Sequence, residues 1–314
     1  MRRETVFLLL LLIAGCLAPL AGIYPVYLMT LYCFACFASA FNLMLGFGGL
    51  LSFGHAAFFG FASYITGWLV STQGYSTLTG IVLGMSCAAL LGLVFGLIAI
   101  RRSGIYFAMI TLALSQVVYF VCLQAPFTGG ENGLQGVPRG DLLGLVSLQN
   151  DTTMYYFVFA VLVAVYLFIR RVVNSPFGQV LKAIRENEPR AISLGYDVNK
   201  YKLLVFVLSA GLAGLAGSLK TLVLGFATLS DVLQSTSGEV ILMTLLGGAG
   251  TFFGPILGAG IVVTLQDVLS DRVGSWVMVI IGAIFVLCVL AFRQGVVGEI
   301  QMLMARGRKS GIAK

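Results

Sequence analysis

The chain has 314 residues, of which 59% are hydrophobic and only 10% charged, and its mean hydropathy is +1.00. This composition exceeds what the core of one soluble domain can bury, and it indicates a membrane protein. The formal net charge of +7 fits membrane topology and attraction to an anionic leaflet. Because no nucleic-acid-binding motif accompanies this charge, we expect no nucleic-acid partner.

Apolar runs recur along nearly the whole chain, and a helix needs about 20 apolar residues to cross a hydrocarbon core of about 30 Å. Two of these runs, 237–250 and 254–270, are short and interrupted by glycine, so they could equally form re-entrant hairpins packed inside the protein. We therefore expect an all-α polytopic membrane protein, a single domain over 1–314 with eight to ten transmembrane helices. The other predicted spans are 5–23, 26–45, 50–71, 78–100, 105–125, 153–169, 203–228 and 274–292.

The distribution of Lys and Arg predicts the orientation, because cytoplasmic loops are enriched in both. With ten spans and a cytoplasmic N-terminus, most of the 19 basic residues fall on the inner side. Both termini are then cytoplasmic, with a charged loop at 170–202, a basic tail at 293–314 and the longest external loop at 126–151. The N-terminal sequence could also be a lipoprotein signal ending at Cys16, but its apolar run continues far enough to favour an uncleaved first helix.

Small residues predict how the spans pack. Gly250, Gly254 and Gly258 recur at every fourth position. This spacing lets helix backbones approach closely in a bilayer, where lipid gives no hydrophobic drive for helices to associate. We expect these glycines to lie at a helix-packing interface of a glycine-rich bundle.

Polar side chains within the predicted spans are costly, so each is a candidate for a functional role or for a structural hydrogen bond. His55 could be a hydrogen-bonded structural residue or part of a gate. Thr111 and Ser115 share one helical face with Gln116 beside it, and this face could border a polar pathway or bond neighbouring helices. Asn42 is a candidate helix cap or a donor in the pathway.

The motifs that are missing from the sequence narrow the function. There is no G-x-x-x-x-G-K-[ST] phosphate loop and no H-E-x-x-H zinc motif. A single histidine at a membrane edge does not support a Ser-His-Asp arrangement. We expect no enzyme activity, no metal and no cofactor on this chain. The predicted spans also lack the mid-span carboxylates that are typical of ion-coupled carriers. Lys220 lies within a span, and we expect its side chain to extend its ammonium to the membrane interface.

The charged loop contains the stretch GQVLKAIRENEPRAISLGYDVNKYK, residues 178–202. Its apolar spacing predicts a helix on the membrane surface, and Pro189 can start a second short helix that ends at Gly195. The loop could be a solvated anchor of the topology. The alternative is a docking element for a cytoplasmic motor.

Four segments of the chain resemble the permease subunits of ABC importers for branched-chain amino acids, the LivM-like type. In that family the charged loop is the coupling region that docks into an ATPase subunit. The general Glu-Ala-Ala-x-x-x-Gly pattern of ABC importers is only partly present here. The four segments are FNLMLGFGGLLSFGHAAFFGFASYITGWL (41–69), SGIYFAMITLALSQVV (103–118), LKAIRENEPRAISLGYDVNKYKLLVFVLSAGLAGLAGSL (181–219) and SGEVILMTLLGGAGTFFGPILGAGIV (237–262). The residues that the resemblance assigns to the ATPase contact are Arg185, Glu186, Asn187, Glu188, Arg190, Ala191 and Gly195.

The resemblance also implies an assembly in the bacterial inner membrane. It implies a second homologous permease, two cytoplasmic ATPase subunits that bind the ATP, and a periplasmic binding protein that delivers a branched-chain or related hydrophobic amino acid. The external loop is then expected to contact the binding protein, and the bundle to contact membrane lipid. Two other functions are consistent with the sequence, an ion-coupled secondary amino-acid carrier and a regulatory membrane scaffold.

Overall fold

The computed structural model describes residues 12, 13, 15, 16, 18–22, 24–142, 146–273, 279, 280, 282, 283 and 286. The first and last predicted spans fall largely outside these residues, and the predicted basic tail lies outside them entirely. The α-helices of the described part, in chain order, are α1 (Pro25–Asn42), α2 (His55–Ser71), α3 (Thr77–Ala99), α4 (Ile105–Gln124), α5 (Asp151–Asn174), α6 (Pro176–Glu186), α7 (Glu188–Ser193), α8 (Val198–Leu224), α9 (Gln234–Gly247) and α10 (Gly254–Val273). A π-helical turn, Leu43–Phe47, continues α1.

Five helices of the described residues are long and apolar enough to cross a membrane, namely α1 with its π-turn, α3, α4, α5 and α8. The 17 residues of α2 are mostly buried inside the bundle. Helix α9 has 14 residues and is about 21 Å long, which is less than the thickness of a bilayer core. Together with α10 these helices confirm the predicted all-α polytopic fold, while the number of spans stays a prediction.

Helix α8 is the centre of the bundle and packs against α1, α2 and α3. Small residues bring α8 and α3 together. A Cβ atom on Gly214 would lie 2.3 Å from the Cβ of Ala88, and one on Gly92 would lie 2.4 Å from the Cβ of Ala210. Neither position has room for a methyl group, so the contact depends on glycine.

Helices α9 and α10 form a hairpin that packs against α1. A Cβ atom on Gly258 would lie 1.8 Å from the carbonyl oxygen of Met243, so the α10 backbone touches α9 at this point. Gly254, at the start of α10, would clash in the same way with the carbonyl oxygen of Gly248. Gly250 differs from both, because it lies in the turn between the helices and not on α10.

The charged loop folds as a pair of helices, α6 and α7, which we call the helix pair. Ser175 caps α6 by accepting from the amide of Gly178, and Asn187 caps α7 by accepting from the amide of Arg190. The helix pair has a small apolar core of its own, in which the buried residues are Ile184, Ala191 and Val198. We call the end of the bundle that carries the helix pair the basic end.

The segment between α4 and α5 is tied to the opposite end of the bundle. Its strand β1 (Leu134–Gln135) pairs antiparallel with β4 (Phe226–Ala227), and β2 (Asp141–Leu142) pairs with β3 (Val146–Ser147). Arg139 donates to the carbonyl oxygens of Leu222 and Val223 at the end of α8 and forms an ion pair with Asp151. This segment is therefore part of the folded unit.

Candidate functional site

The helix pair meets the bundle at a compact junction, which we define as Asn42, Gly46, Arg185, Gly250 and Thr251. Asn42 is buried, and its side-chain amide joins the end of α1 to the turn between α9 and α10. Its Nδ2 donates to the carbonyl oxygen of Thr251 at 2.8 Å, and its Oδ1 accepts from the amide of Gly250 at 2.9 Å. Asn42 is thus a clamp between two distant segments of the chain and not a side-chain cap of the π-turn that follows it.

Arg185 reaches the same junction from α6. Its Nη1 donates a hydrogen bond to the carbonyl oxygen of Gly46 in the π-turn. That oxygen is available because the amide of Leu50 donates to Met44 and not to Gly46. The π-turn therefore ends with an acceptor directed at the helix pair, and a guanidinium satisfies it.

Two glycines make room for the arginine. Gly250 has φ +82°, and a Cβ atom there would lie 3.1 Å both from Arg185 Nη1 and from the carbonyl oxygen of Gly46. Gly49 has φ +69°, and its Cβ atom would lie 2.9 Å from Arg185 Cγ. A positive φ is strained for any side chain, so both positions require glycine for conformation and for space.

The outer surface of the helix pair has a mixed apolar and charged character. Leu194 is 68% exposed and Ile192 57% exposed, which is unusual for aliphatic side chains at the end of a bundle that carries many charges. Beside them lies a shallow pocket of about 190 Å³. We call the surface around this pocket the docking surface, and its residues are Glu186, Asn187, Arg190, Leu194 and Tyr196. Leu194 and Tyr196 were not predicted from the sequence, where the available signal was two large apolar or aromatic residues in an otherwise charged stretch.

The remaining residues assigned to the ATPase contact have other surroundings. Glu188 is half-buried and accepts from Lys202 Nζ at 2.7 Å, and that lysine is itself buried. Ala191 belongs to the core of the helix pair and is 2% exposed. Gly195 is exposed in the turn after α7 and has φ +87°. Glu188 therefore ties α7 to the start of α8, and Ala191 packs against Ile184 and Val198.

The start of α8 completes the charged region. Asp197 caps this helix by accepting from the amide of Lys200, and the Lys200 ammonium lies 2.9 Å from Asp197 Oδ2. The hydrogen bond from the Lys200 side chain holds the pKa of Asp197 below its ordinary value. A carboxyl group whose pKa is lowered on folding stabilises the folded state at pH values above its ordinary pKa. This stabilisation is lost as the pH falls through the lowered pKa. The cap is therefore present at neutral pH.

His55 lies at the start of α2 in an aromatic enclosure formed by Phe41, Phe58 and Phe206. Its Nε2 is 2.8 Å from the hydroxyl of Ser209, which in turn donates to a main-chain carbonyl oxygen of α1. Because that hydroxyl has only one proton, Nε2 of His55 must be the donor. Nδ1 has no partner among the described atoms. These contacts are those of a histidine inside a packed core.

The polar face predicted on α4 points into the protein. Thr111 and Ser115 are buried and donate to main-chain oxygens of their own helix, and Thr111 also accepts from the amide of Phe53. Gln116 is half-buried. The exposed face of α4 is instead apolar and contains Tyr106, Met109, Ala113, Val117 and Phe120.

A buried ion pair lies toward the opposite end of α8. Lys220 Nζ is 2.7 Å and 2.9 Å from the two carboxylate oxygens of Asp231, and it also lies 4.8 Å above the ring of Phe226. Lys220 and Asp231 are each less than a tenth exposed. The expectation that Lys220 extends to the interface is wrong, because a carboxylate 11 residues further on satisfies its charge inside the protein.

A metal site is not indicated in the described part of the chain, where no group of three or more His, Cys, Asp or Glu side chains could hold an ion. The fold there is that of an all-α polytopic membrane protein with a charged helix pair at one end. Residues 24–289 match the family described as "Branched-chain amino acid transport system / permease component". Since this match covers most of the sequence, the chain belongs to that permease family.

The chain is similar in sequence to several curated transport permeases. The chain is 27% identical over 277 residues to the high-affinity branched-chain amino acid transport system permease protein LivM of Escherichia coli K12, a match that covers 81% of this chain and 65% of that protein. It is 31% identical over 159 residues to the xylose transport system permease protein XylH of Haemophilus influenzae, covering 47% of this chain and 42% of that protein. It is also 29% identical over 174 residues to the autoinducer 2 import system permease protein LsrC of Salmonella choleraesuis, covering 53% and 49%. No solved structure gives a significant match.

Proposed function

We propose that the chain is a transmembrane permease subunit of an ATP-binding-cassette importer and forms half of a translocation pathway. The observation that carries this proposal is the docking surface on the helix pair. Exposed apolar side chains next to charged ones, on a rigid capped hairpin, are features of a protein interface. The sequence has no phosphate-binding loop of its own, so the proposed partners on this surface are two ATPase subunits that bind and hydrolyse the ATP.

The proposed substrate is a branched-chain or related hydrophobic amino acid. Membership of the permease family and the two LivM relatives support this choice. The names of XylH and LsrC show that similar chains are associated with xylose and autoinducer 2. Substrate selection is therefore assigned in our proposal to a separate periplasmic binding protein, with which the segment 126–151 makes contact.

The second permease of the proposed assembly has a candidate surface on α4. The exposed residues of that helix recur at spacings of three and four, so they form one stripe along it. Tyr106 is 68%, Met109 60% and Phe120 58% exposed, and aromatic residues and Met are enriched in protein interfaces. We propose that the partner permease packs on this stripe in the bacterial inner membrane, with both termini of this chain on the cytoplasmic side and lipid around the rest of the bundle.

The test is uptake of radiolabelled leucine by proteoliposomes that contain this chain, the second permease, the ATPase subunits and the binding protein. The expected result is uptake that requires both ATP on the ATPase side and the binding protein. Uptake driven by an ion gradient without ATP would contradict the proposal and indicate an ion-coupled secondary carrier. ATP-dependent uptake of xylose but not of leucine would keep the transporter class and overturn the substrate.

A further inference from the structure

We infer that Arg185 is a positioning residue that ties the helix pair to the substrate-conducting bundle, and that it is not itself a contact to the ATPase. This inference rests on the proposed function and assigns a different role from the one that the family resemblance implies. The geometry behind it is the direction of the guanidinium: Arg185 is an exposed residue, and its guanidinium is directed at the bundle and donates to Gly46. The docking surface instead contains Arg190 and Leu194.

The junction joins three elements at one point. Gly46 belongs to the π-turn at the end of α1, Gly250 to the turn between α9 and α10, and Arg185 to the last turn of α6. A Cβ atom on Gly46 would lie 2.4 Å from the amide nitrogen of Gly250, so the two turns are in direct contact. A displacement of α6 therefore has to move both turns or break the hydrogen bond of the arginine.

Neighbouring contacts also hold α6 to the end of the π-turn. Lys182 Nζ lies 5.8 Å from the centroid of the Phe47 ring, and a Cβ atom on Gly48 would be 3.7 Å from a methyl carbon of Leu181. Arg185 Nη1 lies next to Gly250, 3.1 Å from where a Cβ atom on that glycine would be. The guanidinium consequently contacts both turns at the point where Asn42 already clamps them together.

This arrangement gives the two arginines of the helix pair separate tasks. Arg190, on the docking surface, determines how tightly the ATPase subunits bind. Arg185 determines how strongly a movement of the ATPase subunits is transmitted to α1, α9 and α10. The strength of this transmission corresponds to a coupling free energy between two sites. Loss of Arg185 leaves the docking surface intact and removes the hydrogen bond from α6 to the junction, while the other contacts of the helix pair with the bundle remain.

The experiment compares Arg185→Gln with the wild-type assembly in proteoliposomes. Two quantities are measured, the ATP hydrolysed per leucine transported and the Kd of the ATPase subunits. We expect R185Q to raise the ATP consumed per leucine about tenfold, the size of a typical coupling between sites, with an unchanged Kd. Arg102→Gln, an exposed arginine at the same end, is the charge-matched control and should behave as the wild type.

A second variant approaches the junction from its other side. Gly250→Ala places a methyl group against Arg185 and the carbonyl oxygen of Gly46, so it should give the same rise in ATP per leucine. Hydrogen–deuterium exchange of residues 248–251 supplies a readout beyond activity. In the wild type we expect nucleotide binding by the ATPases to change exchange in this turn, and in R185Q we expect no change.

Two results would overturn the inference. One is a higher Kd of the ATPase subunits for R185Q, with an unchanged amount of ATP hydrolysed per leucine transported. This result would make Arg185 a docking residue. The other is wild-type behaviour of R185Q in both measurements. If the wild-type assembly itself shows no ATP-dependent uptake, the proposed function fails, and the inference about coupling fails with it. Uptake by the wild type with normal coupling in R185Q refutes the role of Arg185 alone.

Discussion

At the scale of single residues, the burial of a charge decides how much its removal lowers the free energy of unfolding. Two Lys–Asp pairs of the described residues lie in opposite environments. Lys220 and Asp231 are buried, whereas Lys200 and Asp197 are 78% and 50% exposed. Removing one member of a buried pair leaves an uncompensated charge in a medium of low dielectric constant. Removing one member of an exposed pair leaves a charge that water solvates.

We therefore expect Lys220→Met to lower the free energy of unfolding by about 3–5 kcal/mol. Lys200→Met is the matched control and should change the free energy of unfolding far less, because water solvates the remaining carboxylate. Both variants are measured by denaturant unfolding of the purified protein in detergent. Equal effects of the two substitutions would mean that the buried pair is solvated in the membrane-embedded protein.

The junction shows why sequence reasoning found some site residues and not their roles. Asn42 and Arg185 were both singled out, because polar residues in apolar spans and charges in a loop are visible in the sequence. Their partners are Gly250 and Gly46, which lie 208 and 139 positions away. Contacts at such separations follow from the packing of helices, and no local pattern encodes them.

At the scale of elements, the helix pair is capped and has its own core, so its surface can be altered without loss of the fold. Leu194→Asp should weaken binding of the ATPase subunits at least about tenfold, because a central apolar contact is replaced by a charge. Surface plasmon resonance with the permease in nanodiscs measures this Kd. Gln73→Asp, exposed at the opposite end, should leave it unchanged, and an unaltered Kd for L194D would refute the docking surface.

A charge reversal at both Glu188 and Arg190 would not test docking on its own. The structure makes this pair unsuitable, because Glu188 satisfies the buried ammonium of Lys202. A reversal there would disturb the helix pair and the start of α8, as well as any interface. Arg190 alone is exposed, so Arg190→Glu is the substitution that addresses docking.

The α9–α10 hairpin offers a second element-scale prediction. Gly258→Ala forces a methyl group into the carbonyl oxygen of Met243 and should cost about 1–3 kcal/mol or more through overpacking. Gly260→Ala, two residues further on, has nothing within 4 Å of its added Cβ and should be neutral or slightly stabilising. Thermal unfolding in detergent distinguishes the two. A loss of stability in G260A equal to that in G258A would contradict the packing of this hairpin.

At the scale of the whole molecule, hydropathy and glycine spacing predicted the all-α polytopic bundle. These signals succeed because lipid requires each helix to satisfy its own backbone. They could not reveal that α2 is mostly enclosed or that the segment between α4 and α5 is pinned by Arg139. Both facts depend on which helices are neighbours, and apolar sequences pack in many orders.

Because successive long helices run in opposite directions, Arg102 and Ser193 lie at the basic end of the bundle. Gln73 and Gln135 lie at the opposite end. In a cysteine-free variant, single cysteines at Arg102 and Ser193 should react with a membrane-impermeant thiol reagent from the cytoplasmic side only. Cysteines at Gln73 and Gln135 should react from the external side only. Labelling of all four positions from one side would contradict the proposed orientation.

The buried pair on α8 also has a consequence for how the protein is made. Lys220 leaves the ribosome 11 residues before Asp231, so α8 is complete while its lysine has no counter-ion. An unpaired lysine disfavours insertion of a helix into lipid, and the pair forms only when the chain beyond Leu224 has turned back toward α8. Membrane insertion of α8 and folding of the segment that follows it are therefore coupled events in biosynthesis.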